Sequence, residues 1–348
     1  MTPLTFQTLR LLADGEFRSG EAMARALGVS RATVWNALRG LDGAGLEIFR
    51  VRGRGYRLSQ PLTWLARTAI ERELGAHAAE FSIAVLDLAA STNTILMERA
   101  AAGAPNGSVV AAEWQTNGRG RRGRVWLATP GAALTFSLLW RFQRGASALS
   151  GLSLAVGVAV ARTLARLGIA DAGLKWPNDV IWRGRKLAGL LIEMQGELTG
   201  PSAAVIGIGL NCGLPEALRE RIDQPVVDLA QITGDAPDRN RLFALLLIDI
   251  AQVLEQFSQS GFAPLRDEWQ RQHVYRGQPV RLTLPDAGII DGKAAGVDDD
   301  GALLLETSGG VRRIHSGDVR LRLVDHSPIR DSELVPFSPS PSGREPGD

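Results

Sequence analysis

Cysteine is all but missing from this chain. Cys212 stands alone among 348 residues, so no intramolecular disulfide can form, and four histidines leave little material for a transition-metal site. No grouping of Ser, His and Asp, or of Cys and His, reads as a nucleophilic triad. Cys212 itself ends an apolar run and reads as a packing residue. No signal peptide opens the chain and no apolar run has membrane-spanning length, so the expectation is a cytoplasmic protein that meets no membrane. Lysine is scarce as well. Of 39 basic residues only Lys175, Lys186 and Lys293 are lysine; the other 36 are arginine. A coding bias toward arginine is the simplest account, and it draws attention to the two lysines kept within 175–186.

What is present suits a large globular fold: 45% hydrophobic and 22% charged residues, over a length that predicts two or three domains. The net charge of +2 is spread unevenly, because residues 1–60 hold nine Arg against five Asp and Glu, +4, which leaves −2 for the remainder. That first segment reads as a separate unit. Phe6, Leu9, Leu12 and Ala13 have the spacing of a helix over 6–13. Ser19 is placed to cap a second helix, with Ala22, Met23, Ala26 and Leu27 as its buried stripe and Gly28 as its stop. Ser30 is placed to cap a third over 31–41, with Val34, Leu38 and Leu41 inward. Helix, glycine turn, helix is a helix-turn-helix signature. The runs 47–51 and 56–58, joined through Arg52-Gly53-Arg54-Gly55, add a basic hairpin, or wing. Arg31, Thr33, Trp35, Asn36 and Arg39 are left facing outward. Arg and Asn can read purine edges, Ser30 and Thr33 can hold phosphates, and Arg50, Arg52, Arg54 and Arg57 can meet a nucleic-acid backbone. The same face could instead serve protein contacts alone.

Beyond Pro61 the pattern predicts a helix over 62–74. A strand over 81–87 runs into Ser91-Thr92-Asn93, the cap of a helix over 94–101. Strands follow over 109–114 and 133–140, then a buried helix over 151–167. Two more strands, 174–182 and 184–193, turn at Arg183-Gly184; a strand over 203–210 and an amphipathic helix over 242–258 complete this part. Helices and strands mix without a strict βαβ rhythm, which favours an α+β class over a Rossmann sheet. From Gly277 the pattern changes to short strands over 280–284, 290–297, 302–306, 311–314 and 319–322, the pattern of a small barrel. Residues 327–348, with five Pro and five Ser, are expected to be disordered. The expected units are therefore 1–60, 61–275, 276–326 and a tail, 327–348.

Gly118-Arg119-Gly120-Arg121-Arg122-Gly123-Arg124 lies between two of these strands. Its glycines allow close approach of backbone to a ligand, and its arginines carry planar donors for phosphate or carboxylate oxygens. No Gly-Lys-Ser/Thr follows, so it is not a Walker loop. The stretch reads either as an anion site, most simply for nucleotide phosphates, or as a solvated basic loop or nucleic-acid patch. If the strands after Leu174 pair, Lys175, Asp179 and Lys186 come together. A lysine beside a phosphate would neutralise developing charge, and Asp179 could orient or deprotonate an incoming amine. This combination suits acyl adenylation; a surface ion pair is the plainer reading. Trp126, Trp176 and Trp182 read as core or pocket wall.

The arginine loop, Lys175-Trp176-Pro177-Asn178-Asp179, Arg185-Lys186-Leu187-Ala188-Gly189 and Gly207-Ile208-Gly209-Leu210-Asn211 resemble, in order and spacing, the motifs of biotin–protein ligases. Asp87 with Ser91-Thr92-Asn93 matches the family's first motif. The resemblance runs over 1–325 and is similar to the bifunctional bacterial form, which joins a biotin–[acetyl-CoA-carboxylase] ligase to a biotin operon repressor. It implies an N-terminal winged helix, a central mixed-sheet ligase domain of the class II synthetase-like type and a C-terminal SH3-like barrel. It implies ATP and biotin as substrates, and Mg²⁺ carried by ATP rather than held by a protein cluster. Ser91, Thr92, Asn93, Gln115, Gly118, Arg119, Arg121, Lys186 and Gly207 would hold biotin. Arg121, Arg124, Trp126, Lys175, Asn178, Asn211 and Arg322 would hold the nucleotide. Arg121, Lys186 and Asp179 would carry the chemistry, and Ser30, Arg31, Thr33, Asn36, Arg39, Arg52 and Arg54 would meet DNA. The implied partners are the biotin carboxyl carrier protein, biotin operon DNA and a second copy of the chain in a ligand-promoted homodimer. Two other readings stay open: a ligand-sensing regulator without ligase activity, and a lipoate–protein ligase.

Overall fold

The computed structural model describes residues 1–41, 45–196, 200–284, 288–315 and 320–323. The tail expected to be disordered, 327–348, and Val319 of the last expected strand lie outside them.

The N-terminal unit is a three-helix core with a hairpin: α1 (Pro3–Leu11), α2 (Gly20–Leu27), α3 (Arg31–Leu38), β1 (Ile48–Val51) and β2 (Gly55–Leu58). α1 starts earlier than its apolar spacing predicts because Thr2 and Thr5 form a reciprocal cap. Ser19 and Ser30 accept from the backbone N–H groups of Ala22 and Thr33, and Gly28 ends α2 in the left-handed conformation. The expected stripe of α2 is corrected: Met23 and Ala24 are buried, whereas Ala22 and Ala26 are exposed. The contact with α1 and α3 rotates the buried face one position along the helix.

The helix expected over 62–74 is α4 (Arg67–Leu74) alone. Residues just before it are extended because other elements take their backbone groups. Leu65 N–H donates to Glu113 Oε1 at 2.6 Å and Ala66 N–H to Asn240 Oδ1 at 2.8 Å. The carbonyls of Thr63 and Trp64 accept from Arg239 and Asn240. Glu113 and Arg239 form a buried ion pair at 2.8 Å beneath this linker.

β3 (Ser82–Ala89), α5 (Thr92–Ala101, capped by Ser91), β4 (Ser108–Gln115), β5 (Ala133–Phe142) and α6 (Leu152–Arg166) follow. The strand expected over 174–182 is a hairpin of two, β6 (Ala172–Lys175) and β7 (Asp179–Trp182), reversed through Trp176-Pro177-Asn178. Pro177 has no N–H to give a ladder, which is why one continuous strand could not run through it. β8 (Arg185–Gly196) and β9 (Ser202–Asn211) complete a seven-stranded sheet of order β3-β4-β5-β9-β8-β7-β6. β3 and β4 pair in parallel and all other neighbours antiparallel, so the sheet is mixed and the class α+β. After the short helices α7 (Glu216–Arg219) and α8 (Leu229–Thr233) comes α9 (Arg239–Ser260), then α10 (Arg266–Gln272). α5 covers one face of the sheet; α6 and α9 pack together on the other. Ala146–Arg166 and Arg239–Ser260 are long and apolar enough to cross a membrane, contrary to expectation. Both are mostly buried, as core helices that turn apolar surface to a sheet and to each other are.

β10 (Pro279–Thr283), β11 (Ile289–Val297), β12 (Leu303–Thr307), β13 (Gly310–Ile314) and β14 (Arg320–Leu323) form an antiparallel sheet of order β13-β12-β11-β10-β14. Among the described residues no pairing joins β13 to β14, so the expected barrel is present as an open five-stranded sheet. It seats on the larger unit through Trp176 Nε1, which donates to Gly301 O at 3.1 Å, and Ser150 Oγ, which donates to Asp300 O at 2.7 Å.

Candidate active site

A cleft of about 550 Å³ opens where β9 carries Gly207 and Gly209, and β8 carries Gly189, on the face turned to α5. A Cβ at Gly209 would collide with the Trp126 ring, and one at Gly207 with the Asn93 amide. The missing side chains let those groups reach the sheet and leave a bare floor beside them.

One wall is polar and neutral. Gln115 Oε1 accepts from Thr92 N–H at 2.8 Å, and Ser137 Oγ lies 2.8 Å from Thr92 Oγ1 and 2.5 Å from Asn93 Oδ1. The opposite wall is cationic. Lys186 Nζ meets Asp179 Oδ1 at 2.6 Å, both side chains mostly buried, and Lys175 stands opposite Asp179 in the β6–β7 ladder. Burial holds the Lys175 ammonium below its ordinary pKa; Lys186, Arg322 and Arg124 push the same way, and Asp179 opposes them. Burial likewise raises the Tyr275 phenol, whose ring lies 5.5 Å from Lys175 Nζ.

The arginine loop covers the cleft. It closes on itself through Gly120 N–H to Arg124 O at 2.7 Å and Trp126 N–H to Gly118 O at 2.8 Å, with Arg122 at a φ of 60°. Arg121 reaches Asn178 Oδ1 at 3.4 Å. The fold thus brings together Ser91, Thr92, Asn93, Gln115, Arg119, Arg121, Arg124, Trp126, Lys175, Asn178, Asp179, Lys186, Gly207 and Arg322 from segments far apart in sequence. Gly118 and Asn211 do not line the cleft. Gly118 holds Trp126, and buried Asn211 donates to the carbonyls of Lys186 and Val227. Asp87 is elsewhere, paired with Arg10 of α1. Cys212 is buried and its thiol is pushed up to about 12 by desolvation, so it serves packing.

Several groups at the cleft or just behind its lining carried no expectation from the sequence. Ser137 and Tyr275 gave no local signal. The segment Asp223-Gln224-Pro225 closes one end, where Pro225 O accepts from Lys186 N–H at 2.9 Å. Glu193 accepts from Arg119 and Asn93, and its place on β8 in alternation with Gly189 and Leu191 was the one available clue.

On the N-terminal unit, Arg31, Trp35, Asn36 and Arg39 are exposed along α3, and Arg52 and Arg54 at the tip of the hairpin. Ser30 and Thr33 hydroxyls bond each other at 2.8 Å in the cap. Arg39 stacks on Trp35 at 5.0 Å and Arg54 on Phe17 at 4.1 Å.

Comparison with known proteins finds three family models on this chain: an HTH domain over 5–57, the Biotin/lipoate A/B protein ligase family over 85–211 and the biotin protein ligase C terminal domain over 276–322. The bifunctional ligase/repressor BirA of Escherichia coli (strain K12) is 38% identical over 318 residues, 90% of this chain and 96% of that one. The chain belongs to the biotin protein ligase family.

Another relative within the family is the biotin–[acetyl-CoA-carboxylase] ligase of Mycobacterium tuberculosis (strain ATCC 25618 / H37Rv), 36% identical over 76% of this chain and 97% of its own. The solved structure of a biotin protein ligase from Aquifex aeolicus, in complex with biotin and ATP, matches with a TM-score of 0.61 at 30% identity. It covers 70% of this chain and 99% of that one. The central model is named for biotin and lipoate ligases alike, whereas the C-terminal one is named for biotin protein ligases, in keeping with the relatives above.

Proposed function

We propose that this chain is an ATP-dependent biotin–protein ligase and a biotin operon repressor. It forms biotinyl-5′-AMP from biotin and MgATP and passes the biotinyl group to one lysine of the biotin carboxyl carrier protein of acetyl-CoA carboxylase. The observation that carries the ligase reading is the Lys186–Asp179 pair at 2.6 Å beneath the arginine loop. A biotin carboxylate oxygen attacks the α-phosphorus, and the bond to the β-phosphate breaks to release pyrophosphate. Lys186 and Arg121 lie where charge grows on the phosphoryl oxygens. The acceptor amine then attacks the acyl carbon and AMP leaves, with Asp179 placed to orient the amine and take its proton. Mg²⁺ carried by the triphosphate would neutralise phosphate charge, and Asn178 and Asp223 at the cleft offer the hard oxygen donors it prefers.

Biotin rests on the floor of Ser91, Thr92, Asn93, Gln115 and Gly207, under Arg119, Arg121 and Lys186. The nucleotide lies toward Arg124, Trp126, Lys175, Asn178 and Arg322. Gly118 and Asn211 act one step back, through Trp126 and the Lys186 backbone. Residues 1–60, 61–275 and 276–326 are read as a DNA-binding domain, a class II synthetase-like ligase domain and an SH3-like domain. A ligand-promoted homodimer would set two winged helices on a palindromic operator in the cytoplasm, with Arg31, Asn36 and Arg39 at base edges and Ser30, Thr33, Arg52 and Arg54 at phosphates. Incubation with ATP, biotin and an isolated carrier domain should add the mass of one biotinyl group to the carrier. An unchanged carrier mass, with wild-type fold intact, would sink the ligase reading.

A further inference from the structure

The arginine loop is tied to the sheet at one carboxylate. Glu193 Oε1 and Oε2 accept from Arg119 Nη2 at 3.0 and 2.9 Å, and Oε2 also accepts from Asn93 Nδ2 at 2.8 Å. Asn93 is buried, and its Oδ1 lies 2.5 Å from Ser137 Oγ, which also reaches Thr92 Oγ1. One hydroxyl hydrogen serves only one of those acceptors at a time, so the row Thr92–Ser137–Asn93 has a direction that depends on what each end binds. Glu193 therefore connects the loop that covers the cleft to the polar groups that floor it. It does not line the cleft and makes no contact with the Lys186–Asp179 pair, so it has no part in the chemical step.

We propose that Glu193 is a positioning residue that fixes the closed place of the loop 118–124 over an ordered floor, and so governs how long the acyl-adenylate is retained. The inference rests on the ligase reading for its ligand, but the tether itself is a property of the free protein. Without the carboxylate, Arg119 loses its partner on the sheet. Asn93 Nδ2 keeps only the longer bond to Leu191 O at 3.3 Å, and loop and floor loosen together.

Two measurements test this on the full chain. In the free protein, trypsin cleavage within 118–124 should become severalfold faster in Glu193→Gln and faster still in Glu193→Ala; this arm needs neither biotin nor ATP. In single turnover with ATP and biotin, Glu193→Ala should release biotinyl-adenylate about tenfold faster, the loss expected of a charge-assisted network, while pyrophosphate release stays within about twofold. Because Glu193 acts on the loop through Arg119, the two effects should not multiply: in the Arg119→Ala background, Glu193→Ala should speed release by well under its effect in the wild type, the remainder being its hold on Asn93. Wild-type cleavage and wild-type release in both single variants would overturn the proposal, as would additive effects in the double variant. If Glu193→Ala does not fold, Glu193→Gln decides alone on cleavage and release. A wild-type protein that makes no adenylate sinks the ligase reading and leaves the tether to be judged by cleavage.

Discussion

Arginine is abundant both in the cleft and on the winged helix, but its company differs. In the cleft the cations face acids: Lys186 meets Asp179 at 2.6 Å and Arg119 meets Glu193 at 2.9 Å. On the winged helix Arg39 and Arg54 lie over Trp35 and Phe17, and among the described residues neither is joined to a carboxylate. An aromatic face steadies a guanidinium without cancelling its charge for an incoming phosphate. A carboxylate fixes a cation in place and spends much of its long-range field. The first arrangement suits chemistry that depends on where a charge sits. The second suits binding that depends on how much charge is presented, and which salt screens over about 8–10 Å. Raising ionic strength should therefore separate them: DNA affinity falls steeply with salt while adenylation changes little.

The sharpest break in that comparison is at Lys186. Lys186→Ala should slow adenylate formation by about 10²–10³-fold, because phosphoryl charge loses its partner and Asp179 is left unpaired in a mostly buried place. Lys186→Arg should rescue poorly, since a planar fork does not fit where a compact ammonium stood. Pyrophosphate release at the wild-type rate in either variant removes Lys186 from the mechanism. Next in size is Arg121→Gly. Losing charge-assisted bonds to the phosphate should raise adenylate escape about 10–10²-fold, seen as indiscriminate labelling of nearby lysines. A variant that leaks no more than wild type would return Arg121 to a structural role.

On the other surface, Asn36→Ala with Arg39→Ala should weaken operator binding about tenfold or more and flatten its salt dependence, with adenylation unchanged. Both side chains are exposed, Asn36 on α3 and Arg39 at its C-cap, and neither lines the cleft. A double variant that loses ligation would join the winged helix to the active site and dissolve the contrast between the two regions.

The parts of the fold that were legible were those decided locally. Ser19, Ser30 and Ser91 are helix caps because a hydroxyl beside the first turn meets a free N–H whatever lies beyond. The short apolar run over 203–210 identified β9, and the arginine loop stood out by composition. What could not be read was decided by partners far along the chain. Residues 62–66 have helical spacing, yet Glu113 and Asn240, 48 and 174 positions from the N–H groups they accept, hold them extended. Asn211 sits in a matching motif but points to backbone carbonyls, and Asp87 meets Arg10 of another unit. Apolar length alone does not distinguish a core helix from a membrane span until its packing partners are known.

The Arg10–Asp87 pair gives the smallest effect and tests whether the two regions communicate. Its side chains are 42% and 38% exposed, and Arg10 also lies 4.5 Å from the Trp64 ring on the linker. An ion pair this open is worth about 0.2–1 kcal/mol, because water screens it and two long side chains must be ordered to make it. The linker below is held far more firmly, by the buried Glu113–Arg239 pair and its bonds to the backbone of 63 and 65. Arg10→Ala should therefore lower thermal stability by a degree or two and leave carrier biotinylation at the wild-type rate. Operator affinity measured with biotin and ATP present should change less than threefold. A tenfold loss of operator affinity in Arg10→Ala, with the winged helix still folded by circular dichroism, would mean that this exposed contact relays the state of the cleft to α3.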